Sequence, residues 1–590
     1  MTFTTRPTLQ GTFGMVSSTH WLASASAMSV LEQGGNAFDA AVAAGFVLHV
    51  VEPHMNGPGG EVPVIFAGAD DPRPTVLAGQ GPAPAGATIE QFTGLGLDLV
   101  PGAGLLAAAV PGAVDAWLLL LRDHGTKPLR DVLSFAIEYA RGGHPVAPAV
   151  CATINRVRPL FEQHWPTSAG LWLPGGRVPA AGEVLVNEAY ATTLDRLVAA
   201  GESVQGREAQ IDAARRTWRE GFVAEAVDSF VRRPHRDSSG RDHPGVLRSH
   251  DMAAFEAGYE QPVTAEFRGV TIAKTPPWGQ GPVLLQMLQI LEPFDDDVLD
   301  PAAPDGIHLI AEAMKLALAD REAWYGDTGE VPMTDLLGPA YAEQRRALIG
   351  DTASAGLRPG SPGGRIARVS AMAAASATSR LDRANTGDPA VQEAEERGDT
   401  CHVDVVDRWG NMVSAMPSGG WLQSSPTIPE LGFCLGTRLQ MCWLEPGLPA
   451  SLQPGRRPRT TLSPTLVLRQ GRPVLACGSP GGDQQDQWQL LFLLRHLVQG
   501  MDLQAAIDAP MWHTTSFPSS FFPRRMTPAG LVLESRLGNA AAALRQRGHD
   551  VTLAQPWSLS QLCVVARDPD SGVLSAAANP RGMQGYAAGR

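Results

Sequence analysis

Lysine is nearly missing from this chain: Lys127, Lys274 and Lys315 are the only three, so arginine carries the basic charge. With 47 basic against 60 acidic side chains the formal charge is −13. That balance repels a phosphate backbone, and no Lys/Arg-rich run makes a local exception, which argues against nucleic acid as a partner. No run of about 18 consecutive apolar residues occurs, which argues against a membrane-spanning helix. Met1 to Met28 lacks a cationic segment followed by an unbroken apolar run and a small-residue cleavage site, so the expected compartment is the cytoplasm. The six cysteines (Cys151, Cys401, Cys434, Cys442, Cys477 and Cys563) show no CxxC spacing and no disulfide framework, and are expected reduced in the core. His243 and His250 stand without an HExxH motif or a Cys/His cluster, so no metal is expected. Gly102 to Ala107 imitates a dinucleotide-binding turn, but neither a strand before it nor an acidic partner is clearly placed; it reads as a loop, and no cofactor is expected.

What is present is the composition of an ordinary globular protein, 44% apolar over 590 residues, long enough for two intertwined parts or several domains. From Thr19 to Leu31 apolar and small residues recur at helical spacing. Gly34-Gly35 then offers a stop, and Asn36 with Asp39 can cap a second helix ending near Val51. A strand over Val62 to Phe66 follows the small-residue run Asn56 to Gly60. Helical patterns dominate Val114 to Arg141, Ala191 to Val231 and Val283 to Ala323. From about 351 to 399 the pattern gives way to Ala/Ser/Gly/Pro and then a charged run, the composition of a flexible linker.

After that linker the character changes. Val403 to Asp407 and Met412 to Met416 flank a turn, Thr465 to Leu468 and Val474 to Cys477 flank Gln470-Gly471, and Cys563 to Ala566 and Val573 to Ala577 make a third hairpin. Helices are expected between them, over Trp488 to Gln499 and Ser535 to Gly548, so sheet and helix layers alternate in an α+β sandwich.

At the junction stands Thr400, in Asp399-Thr400-Cys401-His402. If the chain cuts itself between Asp399 and Thr400, this residue supplies both a hydroxyl nucleophile and, through its freed α-amine with a pKa of about 8, the base that a threonine hydroxyl needs. Taken alone, a threonine at a strand start is also an ordinary β-former. Gly478-Ser479-Pro480-Gly481-Gly482, between a strand and a helix, can present backbone N–H groups to an oxyanion or form a plain turn.

Several ordered motifs change the weight of these signals. The Thr400 strand, Arg457 to Thr465, Gly478 to Gly482 and Asn579-Pro580-Arg581, with Gly34 to Ala41, Val110-Pro111-Gly112 and Asp251 to Phe255 upstream, resemble the γ-glutamyltransferase family of autoprocessed N-terminal nucleophile hydrolases. The resemblance implies a four-layer αββα sandwich formed jointly by a large subunit, 1–399, and a small subunit, 400–590. It implies Thr400 as nucleophile, Ser418 as the hydroxyl against its amine, the N–H groups of Gly481 and Gly482 as oxyanion donors, and Thr460 and Thr461 as carboxylate-binding hydroxyls. The substrate it implies is a γ-glutamyl donor such as glutathione or a related small-molecule amide, with water or an amine as acceptor.

This chain also departs from the family's pattern. Where the family grips the donor's α-carboxylate with an arginine stands Gln80, whose neutral amide binds a carboxylate about half as strongly. Where an acidic pair receives the donor's α-ammonium stand Gln440 and Met441. Gly420 replaces a usual asparagine, and the lid segment, Pro446 to Arg457, is short, which suggests an open site. Arg438 and Arg459 are the candidates for a substitute charge, although solvent-facing arginines are the commoner case. An acylase of the cephalosporin or glutaryl type fits the same nucleophile, and so does a processed but inactive binding protein.

Overall fold

The computed structural model describes residues 3–376 and 400–590. Two seven-stranded antiparallel sheets form its centre. The first runs Tyr586–Gly589, Gly14–Ser18, Val403–Asp407, Met412–Ala415, Val62–Ala67, Thr75–Gly79, Gly258–Glu260. The second runs Leu9–Gly11, Leu574–Ala578, Cys563–Arg567, Arg472–Gly478, Thr465–Arg469, Val270–Lys274, Val263–Phe267. Each sheet therefore interleaves strands from before and after Thr400.

Strand periodicity explains the layers. Val403 and Val405 join the helical layer on the outer face, while Val406 points inward with Met15, Ile65, Leu466, Ala476 and Val565 to fill the space between the sheets. Helices Trp21–Glu32, Ala37–Val51, Ala113–His124 and Leu129–Gly142 cover the first sheet. Pro282–Leu291, Pro304–Trp324 and Gln485–Leu493 cover the second. The result is the expected αββα sandwich.

The capping box at Asn36 and Asp39 is present, and Asp39 also accepts from Thr126 and Lys127, tying this helix to the next loop. All three sequence-read hairpins form, and the Gln470-Gly471 turn has positive φ at both positions, 52° and 75°. The long helical patterns break into shorter helices, Val114 to Arg141 into two and Ala191 to Val231 into three. The hairpin of Val263–Phe267 with Val270–Lys274 was not expected; its Arg268-Gly269 turn lacks the Asn or Asp that usually announces one.

Of the expected linker, residues 377–399, including Asp399, lie outside the described residues. The part from 351 to 376 is not free: Ala353 donates its N–H to the Arg547 carbonyl, Ser354 bonds Glu312 and Lys315, and Ser370 bonds Glu445. These hydrogen bonds hold the segment together with the burial of Ala373 in an apolar cluster with Leu99, Trp443 and Ala450.

One buried ion pair ties helix Ala113–His124 to helix Arg207–Glu220. Asp115, fully buried, accepts from Arg215 Nε and Nη2 at 2.9 and 3.0 Å and from the Ala257 N–H at 2.8 Å. Asp115→Ala leaves the buried Arg215 charge only the part-exposed Asp212, at 3.3 Å, and should lower stability by about 3–5 kcal/mol in urea unfolding. A loss below about 1 kcal/mol would contradict this role.

Candidate active site

The site forms where one end of the first sheet meets the matching end of the second. Thr400 precedes strand Val403–Asp407 and Ser418 follows strand Met412–Ala415 across the hairpin, so the two pair as an antiparallel bridge. Ser418 bridges Glu61 on its other side, exchanging hydrogen bonds of 2.9 and 3.0 Å. Since Val62 pairs with Gly79, Gln80 comes next along the same end. From the second sheet, Gly478 closes its strand against the His402 ring: a Cβ at Gly478 would lie 2.3 Å from His402 Cε1. Only glycine permits that approach.

The Thr400 hydroxyl donates to Ser418 Oγ at 3.2 Å and accepts from Gln485 Nε2 at 3.4 Å, one partner from each sheet's end. Ser418 Oγ also accepts from Arg438 Nη2 at 3.0 Å, and that guanidinium is ion-paired with Glu61. Burial raises the Glu61 pKa, and Arg438 opposes the rise. Beneath Thr400, Glu52 accepts from Thr19 Oγ1 at 2.5 Å and from Cys401 Sγ and Gln584 Nε2 at 3.0 Å each. His402 is held by Asp404 at 2.8 Å.

In the glycine loop Gly481 has φ 137° and Gly482 φ 55°. Neither N–H donates to a backbone carbonyl among the described residues. Added Cβ atoms would lie 2.1 Å from Trp488 at Gly481 and 2.9 Å from Phe521 at Gly482, so side chains are excluded there. Asp483 anchors the loop, accepting from Arg321 Nη1 at 2.5 Å, Ser520 Oγ at 2.5 Å and Ser520 N at 2.8 Å. Burial alone would raise its pKa; Arg321 and the Ser520 bonds bring it below the usual value.

The candidate recognition residues divide. Thr460 is fixed through its backbone to Trp278, while Thr461 Oγ1 is buried without a hydrogen-bond partner. Gln80 is fully buried; its Nε2 reaches only the Gly81 carbonyl at 3.2 Å and its Oε1 has no partner. Gln440 is used internally. Its Nε2 donates to Gly102 O and Thr437 Oγ1, and its Oε1 accepts from Phe522 N at 3.1 Å. Met441 packs with Trp421 and Phe521. Arg438 and Arg459 are both buried and paired, with Glu61 and Glu322, rather than facing solvent. Thr400 is only 2% exposed in the uncut chain.

Two functional candidates escaped the sequence reading. Gln485 stands at the start of a helix, where side chains lean back toward the N-terminus and hence toward Thr400. Glu61 is a lone carboxylate ahead of the apolar strand Val62–Ala67, a signal that was available. His243 is held by Asp237 at 2.6 Å, and His250 is exposed. Among the described residues one His/Glu group converges elsewhere, His308, Glu312 and His549. Its carboxylate is taken by Lys315 and Arg358, and His308 Nδ1 meets His549 Nε2 at 2.9 Å. No helix among the described residues is long and apolar enough to cross a membrane.

The family model for gamma-glutamyltranspeptidase matches residues 23–589. Acylase ACY 1 proenzyme of Pseudomonas sp. (strain SE83) is 31% identical over 588 residues, 96% of this chain and 92% of its own. Glutathione hydrolase proenzyme of Bacillus subtilis subsp. natto is 28% identical over 519 residues, 86% of this chain and 82% of its own. The solved structure of LmbA2991T421A is 60% identical, is covered in full along with this chain, and has a TM-score of 0.96. The chain belongs to the gamma-glutamyltranspeptidase family of N-terminal nucleophile hydrolases, and is an amidohydrolase or acyltransferase of that family.

Proposed function

We propose that the chain cleaves itself before Thr400 and then acts as an acylase, carrying the acyl group of an amide as an ester on the Thr400 hydroxyl. The observation that carries this reading is the placing of that hydroxyl, held by Ser418 and Gln485 at the meeting of two sheet ends, beside a glycine loop whose N–H groups have no backbone partner.

In the reaction, Oγ1 attacks the amide carbonyl while the freed α-amine takes the hydroxyl proton. The carbonyl oxygen gathers negative charge, which the N–H groups of Gly481 and Gly482 stabilise; one such donor is worth roughly 3 kcal/mol. The C–N bond breaks, and the departing amine receives the proton. Water, or an acceptor amine, then attacks the ester and frees Thr400. Ser418 orients the nucleophile, and the Arg438–Glu61 pair fixes Ser418.

The donor favoured is an acyl amide without the zwitterionic glutamyl head. Gln80 replaces a cation with an amide, and the place for an acidic pair holds Met441 in an apolar cluster and a Gln440 amide already committed. A donor α-ammonium would lose its hydration there with no carboxylate to receive it. The acylase named among the relatives agrees with this; the glutathione hydrolase marks the other reading, which the assays below separate.

Denaturing electrophoresis should show wild type as fragments of 399 and 191 residues and Thr400→Ala as one full-length band; an uncut wild type would refute self-cleavage. Glutaryl and γ-glutamyl anilides share chain length and terminal carboxylate and differ only by the ammonium. Wild type should turn over the glutaryl compound at least about tenfold faster, the value of one charge-assisted bond lost, and Met441→Asp, which returns a carboxylate to the ammonium's place, should narrow the gap. A preference for γ-glutamyl anilide would reverse the assignment, and no turnover of any anilide would indicate a binding protein. Gln485→Leu should leave the two fragments intact and lower kcat about fivefold to tenfold, as expected for one neutral hydrogen bond. An unchanged kcat would mean that the 3.4 Å contact is not used.

A further inference from the structure

Lys274, one of only three lysines in the chain, ends strand Val270–Lys274 with its side chain fully buried. Its ammonium meets Asp486 Oδ1 at 3.1 Å and donates to Thr465 Oγ1 at 2.7 Å and to the Ser463 carbonyl at 3.0 Å, with Gln489 Oε1 next at 3.3 Å. The acyl transfer derived above makes no use of this charge. A buried ion pair is weak evidence of stability, because desolvation offsets its attraction. What this pair does supply is a set of directed bonds, and they converge on Ser463.

Ser463 is held at each of its polar atoms. Its carbonyl accepts from Lys274 and from Gln489 Nε2, the latter at 2.9 Å. Its hydroxyl donates to Asp486 Oδ1 at 2.6 Å, and its N–H donates to Gln485 Oε1 at 3.2 Å. Gln485, Asp486 and Gln489 all stand on helix Gln485–Leu493, at the three- and four-residue spacings that place side chains together on one side of a helix. Lys274, Ser463, Gln485, Asp486 and Gln489 are all fully buried, so water does not compete for these bonds.

The bond to Gln485 decides how that side chain meets the nucleophile. A carboxamide accepts at oxygen and donates at nitrogen. A backbone N–H only donates, so Ser463 N takes Oε1 and leaves Nε2 for Thr400 Oγ1, at 3.4 Å. Turning the amide over would set its nitrogen against the Ser463 N–H and strand both donors at a buried position. With Nε2 as donor, Thr400 Oγ1 accepts on that side and directs its own hydrogen to Ser418 Oγ, 3.2 Å away. When water opens the acyl ester, Oγ1 departs with the electron pair of the C–O bond and regains a proton from the α-ammonium formed as water attacks. A donor already aimed at Oγ1 stabilises the charge that gathers there.

We infer that Lys274, Asp486 and Ser463 are positioning residues for this reaction, which hold the Gln485 amide with its nitrogen on Thr400 Oγ1. The inference rests on the Thr400 acyl-ester reading and adds the device that sets the direction of the hydrogen bond at the nucleophile.

A double-mutant cycle on the self-cleaved enzyme tests it, read as kcat and KM for the anilide that wild type turns over best. Ser463→Ala removes the hydroxyl bond to Asp486, and Asp486→Asn removes the charge that holds Lys274. Each should lower kcat about threefold, as for one neutral bond loosened, and leave KM within about twofold. In a Gln485→Leu background the same substitutions should leave kcat nearly unchanged, because the residue through which they act is gone. Equal losses in both backgrounds would overturn the proposal, since a general structural defect acts whether or not Gln485 is present. Should Ser463→Ala and Asp486→Asn both fail to fold, Gln485→Glu supplies the readout. Its ionised carboxylate only accepts, so at about pH 9 its kcat should lie at least about fivefold below wild type; parity there would refute the donor role and the proposal with it. Failure of the Thr400 reading is distinguishable, because the wild type itself would then show no fragments and no turnover.

Discussion

The paired backbone bridges of Ser418, to Thr400 on one side and Glu61 on the other, set the position of everything else at the site. They extend the first sheet beyond its regular strands and bring three polar side chains to one edge. Because a ladder fixes register residue by residue, the Thr400 hydroxyl, the Ser418 hydroxyl and the Glu61 carboxylate cannot slip relative to one another. The Arg438–Glu61 pair then locks the Ser418 side chain from outside the sheet. The second sheet is brought to this edge by the close approach of Gly478 to the His402 ring, which any side chain at 478 would prevent.

This construction also explains how two segments separated by hundreds of residues behave as one body. Strands Gly14–Ser18 and Val62–Ala67 flank the hairpin Val403–Asp407 and Met412–Ala415 within a single sheet. A break in the chain before Thr400 would sever one peptide bond and leave these inter-strand hydrogen bonds and the core between the sheets in place. Freeing an α-amine at the strand entrance therefore need not disturb the geometry on which the reaction depends.

Much of the fold was legible because it rests on local rules. The Asn36–Asp39 capping box and the Gln470-Gly471 turn each carry their structure in a few neighbouring residues. Thr400 and the Gly481-Gly482 pair carry only weak local signals, and they and Ser418 were singled out by the ordered motifs around them. What escaped depends on contacts across long separations. That Arg438 turns toward Glu61 and that Gln440 spends its amide on Gly102 and Phe522 are facts of packing between distant segments. The residues of 351–376 misled for the same reason, since their composition says nothing about the polar groups elsewhere that hold them.

The central claim is that Thr400, once terminal, carries the acyl group. Intact-mass and peptide mass spectrometry of enzyme acid-quenched during turnover of a slow anilide donor tests it directly. The account predicts a small subunit beginning at Thr400, with one added acyl mass that maps to Thr400 itself and disappears as the donor is exhausted. An acyl mass on another residue, or a small subunit that begins elsewhere, would contradict it.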